Sequence, residues 1–408
     1  CGQVIAVTAP TAGPSYTFTN LFAETTYYFR VRALNHNAVA TPYVNLGSTV
    51  TIGYPPLDCA TVRNVHQIAG PFTTIQSAVN ALPGALSNYS CVIIRDGATY
   101  TEQVTVQNFI NSGSSITIFA DPSSGLRPVV APPALSTAAF RIANASVNVS
   151  GFMIAPVVDV AYGIYSSSAQ VSIASVTVTT GTASLRVYEA GMRLGSWNQV
   201  SYSSVSIGAA HGFELPSGST GTVIRFSTAA ISSTSRSALY LNNSDSNTVT
   251  GSYLSNPAGH GAYLDSGADY NTISQSMMTS NAASYGALYI VGSDSNTVTG
   301  SYLSNPAGLG AYLNSGADYN TISLSTMTSN AAGSAALFIV GADSNTVTGS
   351  YLSNPAGDGA FLSGGADYNT ISQSAVMSNA AGFAALYISG CGSNTVAGSY
   401  LSNPLGYG

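Results

Sequence analysis

The stretch from Ser246 to Gly259 reads SNTVTGSYLSNPAG. It returns at Ser295, at Ser344 and, as SNTVAGSYLSNPLG, at Ser393, each copy starting 49 residues after the last. Midway between copies stands a shorter echo, YNTIS, at Tyr270, Tyr319 and Tyr368. The unit is therefore alternately 24 and 25 residues. Asn recurs at Asn247, Asn271, Asn296, Asn320, Asn345, Asn369 and Asn394. A second Asn column is read through Asn256, Asn281, Asn305, Asn330, Asn354, Asn379 and Asn403. A fixed period in the twenties marks a solenoid.

Leucine-rich repeats share this range of periods, but they need a regular Leu frame and usually a helix. Here each unit carries three short β-prone pieces, such as Thr248-Val249-Thr250, Ser252-Tyr253-Leu254 and Ala262-Tyr263-Leu264. Alternation in each piece sends one residue inward and its neighbours outward. Gly, Ser, Asn, Asp and Pro fill the corners, where turns require them. The pattern predicts an all-β fold: a parallel β-helix with three strands per rung, stacked at about 4.8 Å. An inward Asn at a corner meets backbone groups that have left the ladder, so both Asn columns are expected to be structural.

Only 6% of the 408 residues are charged, against roughly 25% in an average soluble protein. All ten basic residues are Arg. No apolar run of about 18 residues is present to span a bilayer as a helix. After Arg236 there is no basic residue while eight Asp remain, which makes nucleic acid a poor partner. Such a surface reads as extracellular. The four cysteines, Cys1, Cys59, Cys91 and Cys391, fit no zinc spacing. Cys59 and Cys91 flank the segment expected to cap the solenoid and are disulfide candidates, with buried free thiols the alternative. No signal-peptide pattern opens the chain, so a mature form or a segment is expected.

In chain order, residues 1–53 read as strands at Ser15–Thr19, Thr26–Leu34 and Tyr43–Ile52. The phrase YTFTNLFAETTYYFRVRALN, from Tyr16, resembles the second half of a fibronectin type III domain, with Leu21 and Tyr28 at its tyrosine corner. Residues 54–113 read as a linker, a capping helix and the first rungs. Ile75, Val79 and Leu82 fall at helical spacing. TIQSAVNALP, from Thr74, followed by VIIRDGATYTEQVTV, from Val92, resembles the cap and first rungs of pectinesterase-like right-handed β-helices. Residues 114–236 continue as irregular rungs, with an inward column read through Val149, Val171, Val200, Val223 and Val249. Residues 237–408 are the regular repeats. Together these give about 12 rungs and a rod of roughly 60 Å. The solenoid as a whole resembles bacterial cell-surface β-helix repeat proteins, a resemblance that implies adhesive or structural roles.

Candidate chemistry falls where charge concentrates, at Glu189, Arg193, His211 and Glu214. The paired Asp and Arg motifs of pectinesterases are not recognisable, so no activity is expected. If there is one, these four residues carry it. Asp245, Asp269, Asp294, Asp318, Asp343 and Asp367 form a column whose oxygens are weak calcium candidates; otherwise no cofactor is expected. Outward Thr248, Thr272, Thr297, Thr321, Thr346, Thr370 and Thr395 resemble ice-binding arrays. Tyr253, Tyr302, Tyr351 and Tyr400 are read as one stripe. An open last rung seeks a lid. The sequence therefore predicts a non-enzymatic subunit of a head-to-tail surface filament, self-associating, with Cys391 near the junction and able to meet Cys1 of the next copy. The alternatives are a carbohydrate-active β-helix enzyme, an adhesin for cell-surface polysaccharide and an ice-binding protein.

Overall fold

The computed structural model describes residues 26–32, 44–50, 59–180 and 186–408. From Thr61 onward the chain winds through three parallel sheets. Sheet 1 has 14 strands, from Thr61–Val65 to Thr395–Ala397. Sheet 2 has 13, from Thr99–Tyr100 to Tyr400–Ser402. Sheet 3 has 12, from Val104–Gln107 to Leu386–Ser389. From Ser90 to Ser389 the chain visits them in that order, as at Thr248–Thr250, Tyr253–Asn256 and Ala262–Asp265. The 14 strands of sheet 1 exceed the dozen rungs read from the sequence.

Alternation decides what fills the interior. On sheet 1 an inward column runs Ile118, Val149, Ile173, Val200, Ile224, Val249 and Ile273, each at most 1% exposed. Two members of the expected column stand at other positions in the register. Val171 is buried, but it pairs with Val147 and lies one pleat upstream of Ile173. Val223 neighbours Ile224 and, one residue out of phase, faces away from the core. A slip of one residue exchanges the two faces of a strand. Buried Val, Ile or Leu contributes about 1.5–3 kcal/mol each, so repeated columns rather than any single residue stabilise the rod.

The Asn residues carry the corners between sheets 3 and 1. Asn247 N–H donates to Asn271 Oδ1 and Asn271 N–H to Asn296 Oδ1, both at 2.8 Å, and the pattern continues to Asn394. The second column differs from its reading. Asn256, Asn305, Asn354 and Asn403 are buried, and Asn305 Nδ2 bonds the carbonyls of Ala282 and Tyr285 at 3.0 and 2.6 Å. Asn281, Asn330 and Asn379 are exposed instead. Their rungs place Ser280, Ser329 and Ser378 in register with the buried Asn. Asn256 and Ser280 are 24 residues apart, as Asn247 and Asn271 are, and the neighbouring Asn281 stands one residue late.

Where sheet 3 begins, the chain at Gly212, Gly261, Gly310 and Gly359 passes so close to the next rung that a Cβ would run into a carbonyl oxygen. A Cβ on Gly310 would lie 2.5 Å from the carbonyl oxygen of Ala336. At the corner before sheet 1, residues such as Ser295 and Tyr319 adopt φ of 57°.

The helix, α1, is Ile75–Asn80, shorter than its spacing suggested, because Pro83 cannot continue it. Thr74 caps it, and Glu102 accepts the N–H groups of Ile75 and Gln76 at 2.7 and 2.8 Å. Ile75, Ala78 and Val79 are buried in the solenoid core. Cys59 and Cys91 are joined in a disulfide, which sits on a small outer cluster with Ile93 and Phe119. Thr26–Val31 pairs antiparallel with Val44–Val50. Cys1, Leu21 and Ser15–Thr19 lie outside the described residues. Among the described residues no helix is long and apolar enough to cross a membrane.

Candidate functional site

The register of sheet 3 lines up one outward column: Arg141, Tyr165, Arg193, Glu214, Tyr240, Tyr263, Tyr289, Tyr312, Phe338, Phe361 and Tyr387. Parallel in-register strands put like positions about 4.8 Å apart, which is stacking distance. From Tyr263 to Phe361 successive ring centroids are 4.9–5.2 Å apart and the planes tilt by 9–17°. The aromatic residue second in each third strand was legible (Ala-Tyr-Leu, Leu-Tyr-Ile), but the copied SNPAG phrase drew the reading to Tyr253 instead. That Tyr253 series is interrupted: Met277 stands between Tyr253 and Tyr302, Thr326 before Tyr351 and Ala375 before Tyr400.

At the head of the aromatic column lies an ionic cluster. Arg193 Nη1 donates to Glu214 Oε1, and Arg236 Nη2 donates to Glu189 Oε2 at 3.3 Å. The Arg193 guanidinium lies 5.7 Å from the Tyr162 ring centre. Glu214 is 8% exposed, and its Oε2 is buried with no hydrogen-bond partner. Burial raises the Glu214 pKa above the usual carboxylate range, and Glu189 adds to this while Arg193 and Arg236 oppose it. The structure thus brings Glu189, Arg193 and Glu214 together, and it adds Arg236, whose reach back across two turns no spacing rule shows.

His211 does different work. Its Nδ1 accepts the N–H of Ser237 at 3.0 Å, and its ring stacks on Tyr240 at 4.4 Å. Burial pushes its pKa down to about 3, so it is neutral, with the proton on Nε2. His260 repeats the arrangement toward Gly286 at 3.1 Å, with its pKa lowered by burial to about 4, and Asp358 does so toward Ala384 at 2.7 Å. All three side chains satisfy a neighbouring rung's N–H where strand pairing has not yet begun.

The Asp column is held in the same way. Asp245, Asp269, Asp294, Asp318 and Asp343 each accept through Oδ1 the N–H of the next Asp, at 2.6–3.0 Å. Among the described residues no group of three His, Cys, Asp or Glu is placed to share a metal ion. The Thr248 column is in register along sheet 1. One pleat away, Ser274, Ser323 and Ser372 bond Thr250, Thr299 and Thr348 in pairs at 3.0 Å, which uses up part of that surface's hydroxyls. Cys391 carries a free thiol that donates to the Ser389 carbonyl at 3.3 Å.

A family model described as "Right handed beta helix region" matches residues 185–350 and 237–401, together more than half of the chain. The chain belongs to this right-handed β-helix family. No curated protein matches it in sequence. Among solved structures, this β-helix is similar to DFA-IIIase from Arthrobacter chlorophenolicus A6, solved without its lid and in complex with GF2. The identity is 14%, the coverage 83% of this chain and 94% of that one, and the TM-score 0.50. It is also similar to bacteriophage CBA120 tailspike protein 3, at 11% identity, 78% and 50% coverage and a TM-score of 0.50. ORF18 of Geobacillus virus E2 matches at 14% identity, 80% and 59% coverage and a TM-score of 0.39. The β-helix thus spans only 50–59% of the two phage proteins.

Proposed function

We propose that this chain is an extracellular carbohydrate-binding β-helix whose ligand sits on sheet 3 at Glu214. The observation that carries the reading is Glu214 Oε2, a buried oxygen without a partner, on an outward column between a guanidinium and a tyrosine ring. Leaving such an atom unmet costs about 1–3 kcal/mol. Glu214 keeps 8% of its surface exposed, and a sugar hydroxyl that draws the carboxylate outward is a donor of the right kind to meet it, while the neighbouring Arg and Tyr groups suit the other hydroxyls and the apolar face of a sugar ring. The DFA-IIIase that shares the fold was solved with GF2. The Cys59–Cys91 disulfide supports an oxidising compartment.

The reading is binding without turnover, since each carboxylate of the cluster is paired with an Arg. A second reading, glycoside cleavage with Glu214 as general acid, is favoured by its raised pKa. Both are tested by titrating soluble oligosaccharides, chosen on a glycan array, into the native chain and Glu214→Gln. We expect binding by the native chain, at least about tenfold weaker binding by the variant at unchanged melting temperature, and no new reducing ends. Released reducing ends that vanish in the variant establish cleavage. A native chain that binds no glycan, or a variant that binds as well as the native chain, overturns the proposal. The head-to-tail filament is a separate proposal of the sequence. Electron micrographs of the purified chain with an axial repeat support it, and single rods refute it.

A further inference from the structure

The corner between sheets 3 and 1 carries a second row of aromatic residues. Tyr270, Tyr319 and Tyr368 occupy the same place in alternate rungs, with φ of 56–57° and exposures of 64–65%. Ser246, Ser295, Ser344 and Ser393 hold that place in the rungs between, at φ of 54–58°. A left-handed backbone costs about 1–2 kcal/mol for a residue with a Cβ, and a bulky ring there is rare. The serines show that the turn does not require the ring, and the exposure shows that the core does not. Left-handed corners recur along the rod, at Gln275, Leu324 and Gln373 among others, so it is the exposure of three like rings at one place in alternate rungs that points to use.

The spacing says what kind of use. On sheet 3, rings one rung apart lie face to face at 4.9–5.2 Å and occupy each other's surfaces. At the corner the tyrosines stand two rungs apart, about 9.6 Å, which leaves each ring free of an aromatic neighbour. An extended β-1,4-linked sugar chain repeats every second residue over nearly that distance and turns the same face to one side at each repeat. Beside each ring stands a carboxylate, Asp269, Asp318 and Asp367, whose Oδ1 is taken by the next rung's N–H and whose Oδ2 remains to accept a sugar hydroxyl. No basic residue follows Arg236, so a polyanionic chain is repelled and an uncharged one is not.

We infer that the row Tyr270, Tyr319 and Tyr368 is a second binding site, for extended, uncharged β-1,4-linked polysaccharide laid along the rod. It rests on the proposed carbohydrate role only for its ligand class, since its residues and position are separate from Glu214. The test is depletion of the chain from solution by microcrystalline cellulose and by chitin, with starch and alginate as controls. The native chain is expected to deplete on cellulose or chitin and on neither control. Tyr270→Ser, Tyr319→Ser and Tyr368→Ser together install the residue that the intervening rungs already tolerate. The triple variant should keep its melting temperature and lose binding by about tenfold or more. Moving one ring, by Tyr319→Ser with Ser344→Tyr, keeps the number of rings and breaks the spacing; binding should fall nearly as far. No depletion by the native chain, equal depletion on alginate, or a triple variant that binds unchanged would each overturn the inference. Glu214→Gln should leave depletion intact, and the triple variant should leave oligosaccharide titration intact, so either site can fail alone.

Discussion

Residues 237–408 and residues 59–236 form one rod by the same winding, yet they differ in what their surfaces can do. In the later half every rung nearly copies the one before, so its surface features come as columns: Asp, Thr and the paired-rung tyrosines. A periodic sequence can build only a periodic surface, which suits weak contacts summed along a polymer. The earlier half breaks the copy. The Arg–carboxylate pairs Arg95–Asp121, Arg193–Glu214 and Arg236–Glu189 all lie in it. The buried, half-satisfied Glu214 stands where the charged segment of the sheet 3 column gives way to rings. A unique site needs a departure from the repeat, and the departure is where loop lengths vary and charges cluster.

The sharpest way to break this contrast is to attack what the halves share. Gly310 in the regular half and Gly212 in the irregular one pass equally close to the next rung, with a Cβ 2.5 and 2.4 Å from a carbonyl oxygen. Valine at either should cost about 4 kcal/mol in a denaturant titration, because backbone must move in both cases. If only one half suffers, the two are not one structure.

Acid should then act on both halves alike. His211 and His260 have folded pKa values of about 3 and about 4, below the ordinary 6.5, because burial disfavours the charged form. A depressed folded pKa means the unfolded chain binds more protons, so stability is full above pH 6.5 and is lost as pH falls through the folded values. Each histidine should contribute a slope of up to about 1.4 kcal/mol per pH unit in that window. His211→Asn and His260→Asn, which keep an acceptor for the Ser237 and Gly286 N–H groups, should each flatten the stability profile below pH 6.5 relative to the native chain. A profile unchanged by both substitutions would show that neither ring is held neutral.

The fold was legible because its decisive residues repeat: Asn247 and its successors fix the period, and the Val249 to Ile371 alternation fixes the inward face. Reading failed where one residue decides orientation. Val223 beside Ile224, and Asn281 beside Ser280, are chemically fit for either face, and only strand pairing chooses between them. The members of the candidate site were legible as a concentration of charge. Their pairing was not, because Arg236 reaches Glu189 across 47 positions of sequence, a distance set by loop paths rather than by any period. His211 was picked for its chemistry, but the structure uses it as a backbone acceptor. The aromatic column is less exact a copy than the Tyr253 series, since Tyr263, Tyr289 and Phe338 have different neighbours, and only strand pairing shows it to be continuous.

The most direct test of the division between scaffold and site removes one whole repeat. Deleting residues 295–343 joins Asp294 to Ser344, a junction the sequence already contains, and leaves every rung near Glu214 in place. In one titration series with the same oligosaccharide, the shortened rod should bind as tightly as the native chain, while Glu214→Gln should bind about tenfold more weakly or not at all. A shortened rod that folds but loses the oligosaccharide, or a Glu214→Gln chain that keeps it, would contradict the account.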